Sequence, residues 1–422
     1  MTNISEGSGP PTRAFSYSGY RYFWIATALT SFAVQIVAVS VGWQIYDVTG
    51  QPFLLGLVGL SLFLPALLLV LVTGLIADRV NRRLIMALCL VVEFACAIFL
   101  LFYTRIEGHQ IWPIFVVLVV LGTGRAFMGP ASGSLAPNLV PVEALSNAIT
   151  LNASAWQFAG ILGPVAGGLL YGIGPSFAFG TAACLALVAA VSVSLIPKPA
   201  RRESHQATSI DTLLAGFRYI LKEKVVLGAI SLDLFAVLLG GAVALLPIYA
   251  KDILHAGPSE LGLLRAAPGI GGIATAVLLS RFPVRDHAGR ILFAFVALFG
   301  LATSIFGLAT SVWVAVPALA LAGASDMVSV SIRETIMQLW TPDAVRGRVS
   351  AVNSVFIGAS NELGEFRAGM VAAWLGAVVA VVAGGIGTMA IAAIWSQIFP
   401  GLRQQRSLAR KMVAEPDVAP AE

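Results

Sequence analysis

Carboxylates and arginines stand within stretches otherwise apolar enough to lie in lipid. Among them the acids Glu93, Asp233, Asp326, Glu362 and Glu365 and the base Arg125 stand out. A charge at the bilayer centre costs at least roughly 2.5–3.5 kcal/mol on the insertion scale, so each needs a wet cavity or a partner. A carboxyl group in low dielectric can be neutral or charged near physiological pH. A proton carrier requires that property, because it binds a proton in one state and releases it in another. Glu93 has no close charge in its own segment, and Asp233 lies in the first third of its segment. These two lead the proton-coupling candidates, followed by Arg125, Asp326, Glu362 and Glu365. The static alternative is a fixed pair with Arg125 or Arg265 that holds helices together.

Residues 346–369, RGRVSAVNSVFIGASNELGEFRAG, are the least ordinary of these stretches. On a helix, Asn353, Ile357, Asn361 and Glu365 recur at i, i+4 and form one polar stripe. Such a stripe should line a water-filled path and not lipid. Trp156, Phe158 and Phe356 are further cavity-wall candidates: their spans build the central cavity in the superfamily that residues 74–83 resemble, and aromatic rings suit a flat amphipathic substrate. Core packing is the competing reading for Phe158 and Phe356. Trp24 and Trp43 lie near segment ends, where an interfacial belt accounts for them.

The elements that must position these groups are membrane helices. The chain has 422 residues, of which 58% are hydrophobic and only 11% charged, with a mean hydropathy of +0.88. Soluble domains carry about 25% charged residues. In lipid every backbone polar group must be satisfied internally, which leaves helical bundles and closed barrels. Continuous apolar runs without period-2 alternation select the all-α bundle. Segments long enough to cross fall near 21–44, 53–76, 84–104, 111–134, 146–170, 176–196, 225–249, 259–280, 290–310, 313–338, 346–369 and 374–398.

Placing the N-terminus in the cytoplasm gathers Arg79, Arg82, Arg83, Lys198, Arg201, Arg202, Lys222, Lys224, Arg281, Arg285, Arg290, Arg346, Arg348, Arg403, Arg406 and Arg410 on the inner side. The outer loops hold Arg105 and Lys251. This bias predicts both termini in the cytoplasm, so the net charge of +5 is topological and not a nucleic-acid signal. Residues 1–20 form a polar tail without a cleavage pattern, and the first span is expected to serve as an uncleaved signal. A polar stretch at 197–224 divides a six-helix bundle at 21–196 from a second at 225–399, with a tail at 400–422. Within that linker, Asp211 to Leu221 has the spacing of a short amphipathic surface helix.

Three motifs carry a family resemblance. GLIADRVNRR, Gly74 to Arg83, resembles the loop signature of the major facilitator superfamily through Gly74, Asp78, Arg79, Arg82 and Arg83. The resemblance implies a cytoplasmic latch that closes in one conformation and breaks in the other. AGILGPVAGG, Ala159 to Gly168, resembles the Gly-Pro motif of the superfamily's antiporters through Gly163, Pro164, Gly167 and Gly168. RAFMGPA, from Arg125, resembles a pattern of buried arginine and following glycine, here Gly129, although Met128 replaces the usual Gln. Residues 346–369, with the preceding WTPDAVRGR, are similar to the bacterial enterobactin-exporter branch, and the likeness runs from about Arg21 to Phe399. It implies two six-helix halves that rock about a midplane site and a small-molecule substrate such as a catecholate siderophore or drug. It also implies proton antiport and a monomer in the bacterial inner membrane. An uptake symporter, a general dye exporter and a non-transporting sensor or scaffold remain as alternatives.

No GxxxxGK[ST], HExxH or GxSxG occurs, so neither ATP-driven transport nor an enzyme is expected. Cys89, Cys96 and Cys184 lie in spans without CxxC spacing, so no metal, cofactor or disulfide framework is expected.

Overall fold

The computed structural model describes residues 13–106, 110–197, 210–284 and 286–405, and those residues contain helices and no strand. The helices are α1 (Ser18–Thr49), α2 (Pro52–Arg79), α3 (Arg82–Tyr103), α4 (Trp112–Leu135), α5 (Val142–Ile173) and α6 (Pro175–Ser194). After α7 (Ile210–Lys222) the chain continues with α8 (Lys224–Gly240), the short α9 (Leu246–Ile248), α10 (Pro258–Arg281), α11 (Ala288–Gly307), α12 (Val312–Trp340), α13 (Asp343–Leu375), α14 (Ala377–Ile398) and α15 (Pro400–Arg403).

Eleven of these crossings, with α8 and α9 counted as one, are long and apolar enough to span a membrane. The twelfth, α13, is long enough but too polar by that measure, because Asn353, Ser354, Ser360, Asn361, Glu362, Glu365 and Arg367 fall within it. It is tolerated because α2, α7, α8 and α14 surround it. The seventh crossing is broken after Gly240: a 3-10 turn, the Pro247-containing α9 and a π turn at Tyr249–Ile253 carry the chain onward. Irregular backbone at membrane depth survives only where protein covers it, and Leu245, Leu246, Tyr249 and Ala250 are buried.

In the first half α1 packs on α5 and α6, α3 on α4 and α6, and α2 on α4. In the second, α10 packs on α12, α11 on α12 and α14, and α8 on α13 and α14. The halves meet through α5 with α10 and α2 with α13. Small residues allow both approaches. A Cβ added at Gly262 would stand 2.5 Å from the Pro164 carbonyl oxygen, and one at Gly56 2.9 Å from that of Phe366. These contacts gather toward the side holding Gly50, Gly174 and Gly376, opposite the termini. The linker helix α7 lies against α13 and α8, with Gly216 close to the Arg348 backbone.

Candidate functional site

Two of the sequence-selected charges meet inside the first half. Glu93 on α3 and Arg125 on α4 line one cavity of about 30 Å³, together with Thr30, Cys89, Gly124 and Met128. Glu362 and Arg265 of the second half lie within electrostatic reach of Arg125. Arg265 on α10 in turn interacts with Glu365 and Glu362 on α13, and donates to the Ala38 carbonyl of α1 at 3.3 Å. Gly59 of α2 backs the pair of glutamates: a Cβ there would be 2.7 Å from Glu362 Oε2 and 3.3 Å from Glu365 Oε2. Elements α2, α4, α10 and α13 thus bring Glu362, Glu365 and two arginines to the junction of the halves, with Glu93 of α3 behind Arg125.

Asp233 and Asp326 belong to a separate network. Asp233, buried on α8, is ion-paired with Arg333 of α12, and Asp326 lies 3.8 Å from the same guanidinium. The static partners expected for Asp233 were Arg125 or Arg265, and the structure supplies Arg333 instead. Sequence reasoning passed over Arg333, although it follows Asp326 by seven residues, two helical turns, on one face of α12. Nearby, Asn353 Nδ2 donates to Glu334 Oε1 at 3.4 Å.

The polar stripe on α13 is not uniform. Asn353 is buried against α12, whereas Ile357 and Asn361 are exposed. The ring of Phe356 lies 6.4 Å from that of Phe217 of α7, beside an apolar cluster with Ile220, Val226 and Met337, the arrangement of the core-packing reading. Trp156 and Phe158 are 67% and 57% exposed, and two residues apart on α5 they point to nearly opposite faces. The belt reading changes for Trp43. Trp43 is buried in the core, and Trp24 donates to the Leu151 carbonyl of α5 at 3.0 Å.

The latch residues lie at the α2–α3 turn, where Asn81 caps α3 by accepting from the Arg83 N–H at 3.0 Å. Arg82 donates to the Ser134 carbonyl at 3.4 Å and Arg83 to that of Ser194, both in the first half. Gly74 is half-buried and Arg79 exposed, while the side chain of Asp78 is outside the described residues. The Gly-Pro motif sits between helices. Gly163 and Gly167 face Gln35 and Ile36 of α1, Gly168 faces Pro258 and Gly262 of α10, and the Pro164 carbonyl faces Gly262.

Sequence reasoning missed a cluster on the side opposite the termini. Lys251 Nζ is 2.6 Å from Asp47 Oδ1 and 3.3 Å from the Asp47 carbonyl, and the Tyr46 hydroxyl donates to Asp252. Gly50, in the left-handed region at φ 61°, ends α1 and donates to the Tyr46 carbonyl. The π turn presents Lys251 and Asp252 together. Only the tyrosine–acid and lysine–acid pairs in adjacent positions, YD and KD, were there to signal it.

A family sequence model described as "Transmembrane secretion effector" matches residues 11–421. Among curated proteins, the enterobactin exporter EntS of Shigella boydii serotype 4 (strain Sb227) is 25% identical over 419 residues, covering 94% of this chain and 96% of that protein. The EntS of Escherichia coli (strain SMS-3-5 / SECEC) is 24% identical over the same coverage. Among solved structures, a bacterial homologue of the human lysosomal transporter Spinster, inward-facing and unoccupied, superposes with a TM-score of 0.74 at 16% identity, covering 94% of this chain and 100% of that one. A bacterial homologue of the iron transporter ferroportin, inward-facing, gives 0.67 at 16% identity, covering 92% and 99%.

Proposed function

Given that this chain belongs to the transmembrane secretion effector family, within the major facilitator superfamily, we propose that it is an inner-membrane exporter that exchanges protons for a small amphipathic molecule. The observation that carries this reading is the charged junction, where Arg125, beside Glu93 in one half, lies within electrostatic reach of Arg265 and Glu362 of the other, with Glu365 close to Arg265. Charges shared between two moving bodies change partners when the bodies rock, so their protonation can be coupled to the motion. A substrate that competes with a proton for Arg125 or Arg265 would then exchange against it.

Contacts between the halves cluster on the side opposite the termini. With the termini in the cytoplasm, as the arginine distribution favours, this arrangement is closed outside and loads from the cytoplasm. The likeness to enterobactin exporters over 94% of the chain favours a catecholate siderophore as substrate. The Gly-Pro motif at the α5–α10 contact supports antiport, because it lies where one half must slide on the other.

The test is uptake into everted membrane vesicles with a pH gradient imposed and then collapsed. A catecholate siderophore and a cationic dye are offered side by side. Gradient-dependent accumulation of the siderophore alone supports the reading. Accumulation of the dye moves the protein to general efflux, and accumulation of neither removes the export direction.

A further inference from the structure

The charged cavity of the first half shares a wall with a groove that opens sideways. This groove, of about 410 Å³, lies where α2 and α3 barely touch and is floored by α4. Ile76 of α2 and Val80 just after it, Ile85 and Leu88 of α3, and Val120 and Phe127 of α4 give it an apolar lining. Leu88 is 57% exposed, and Val80 and Val120 are each 42% exposed. On helices that cross a membrane, such exposed aliphatic side chains face acyl chains, which are as apolar as leucine.

Cys89, Val92 and Gly124 line both this groove and the cavity of Glu93 and Arg125. Val92 immediately precedes Glu93, and Gly124 immediately precedes Arg125. The wall is thin, since a Cβ on Gly124 would meet only Val92 Cγ1, at 4.0 Å. The mouth carries positive charge. Exposed Arg79 follows Ile76 by one turn of α2, and Arg82 opens α3 three residues before Ile85. An apolar trough with cations at its mouth and Arg125 behind its wall complements a molecule with an apolar body and an anionic head.

We infer that the groove is a bilayer-side way in, taking the apolar body of an amphipathic anion from the leaflet through the Cys89–Val92–Gly124 wall to Arg125. It depends on the export reading for the direction of travel, and it deepens that reading by naming the chemistry and the route. The cavity now holds about 30 Å³, so the wall must part for the molecule to pass. Gly124, with no side chain to withdraw, is where it parts most easily.

Cys89 reports directly on this wall. In protein carrying Cys96→Ala and Cys184→Ser, reconstituted in liposomes, alkylation of Cys89 by N-dodecylmaleimide is compared with that by a sulfonated maleimide confined to water. The bilayer-soluble reagent should react about tenfold faster, since thiol reactivity follows access. Gly124→Leu should cut that rate about tenfold by filling the wall. Gly133→Leu, on the same helix with no atom within 4 Å of its Cβ, controls for folding and should leave it unchanged. Equal labelling by the sulfonated reagent would make the route aqueous and overturn the inference. Unchanged labelling in Gly124→Leu would also overturn it, leaving the groove as a resting place for membrane lipid. If labelling behaves as expected while no amphipathic anion accumulates in vesicles, the export reading fails and the way in stands.

Discussion

Lys251 and Asp47 form an ion pair that ties the first half of the protein to the second, with Nζ 2.6 Å from Oδ1. Beside it, Tyr46 donates to Asp252, so two consecutive residues of α1 grip two consecutive residues of a π turn. π turns recur at functional sites because the extra residue re-aims side chains. Here the turn aims both charged groups at one helix end.

Breaking this clasp should favour separation of the halves on the side opposite the termini. Both side chains of the ion pair are more than a third exposed, so Asp47→Asn or Lys251→Gln should each shift the balance by only about 0.2–1 kcal/mol. Exchanging the two charges, Asp47→Lys with Lys251→Asp, should restore the parent distribution. Spin-label distances between Gln110 and Trp313, which lie on that side in different halves, would read the shift. No change in any single variant would remove the clasp from the mechanism.

The α5–α10 contact should be far less tolerant. A Cβ on Gly168 would stand 3.0 Å from the Gly262 backbone and closer still to the Pro258 carbonyl. Gly168→Leu is expected to cost about 1–3 kcal/mol through overpacking. Gly160→Leu, one helix face away with nothing within 4 Å, should cost much less. Thermal unfolding in detergent distinguishes them, and equal losses would mean that the close approach is not a constraint.

Asp233 and Arg333 are both 8% exposed, so removing one leaves a buried charge without its partner. Arg333→Met should destabilise by roughly 3–5 kcal/mol, and Asp233→Leu together with Arg333→Met should recover much of that loss. Stability of the single variant equal to the parent would show that water or Asp326 replaces the pair.

Glu93 should behave differently. It shares a cavity with Arg125 but forms no salt bridge among the described residues. Glu93→Gln preserves shape and should leave stability near the parent value, while gradient-driven accumulation falls at least about tenfold. Exchange down a substrate gradient should persist and lose its dependence on pH, because the carboxyl group proposed to take up the proton is gone. Unaltered accumulation in Glu93→Gln would transfer the role to Glu362 or Glu365.

Much of the architecture follows from the order of residues alone, for a physical reason. A run of about 20 apolar residues has one solution in lipid, a helix that satisfies its own backbone. Hence the crossings and the charges stranded inside them can be read without coordinates, as can the helix near the midpoint, Ile210–Lys222. Even polar α13 is legible as a crossing, because it lies between apolar neighbours on either side of two short turns.

Which charges meet was decided by the tertiary structure. Spacing along one helix fixes which side chains share a face, but not how that face is turned toward the next helix. Asp233 is a hundred residues from Arg333, and Asp47 lies 204 residues from Lys251, so their pairing depends on helix rotations that packing sets. The same rotations turn Phe356 toward α7 and bury Asn353 while Asn361 stays exposed. Residue order determined which groups lie within the membrane; the close packing of Gly56, Gly168 and Gly262 decided which of them could reach one another.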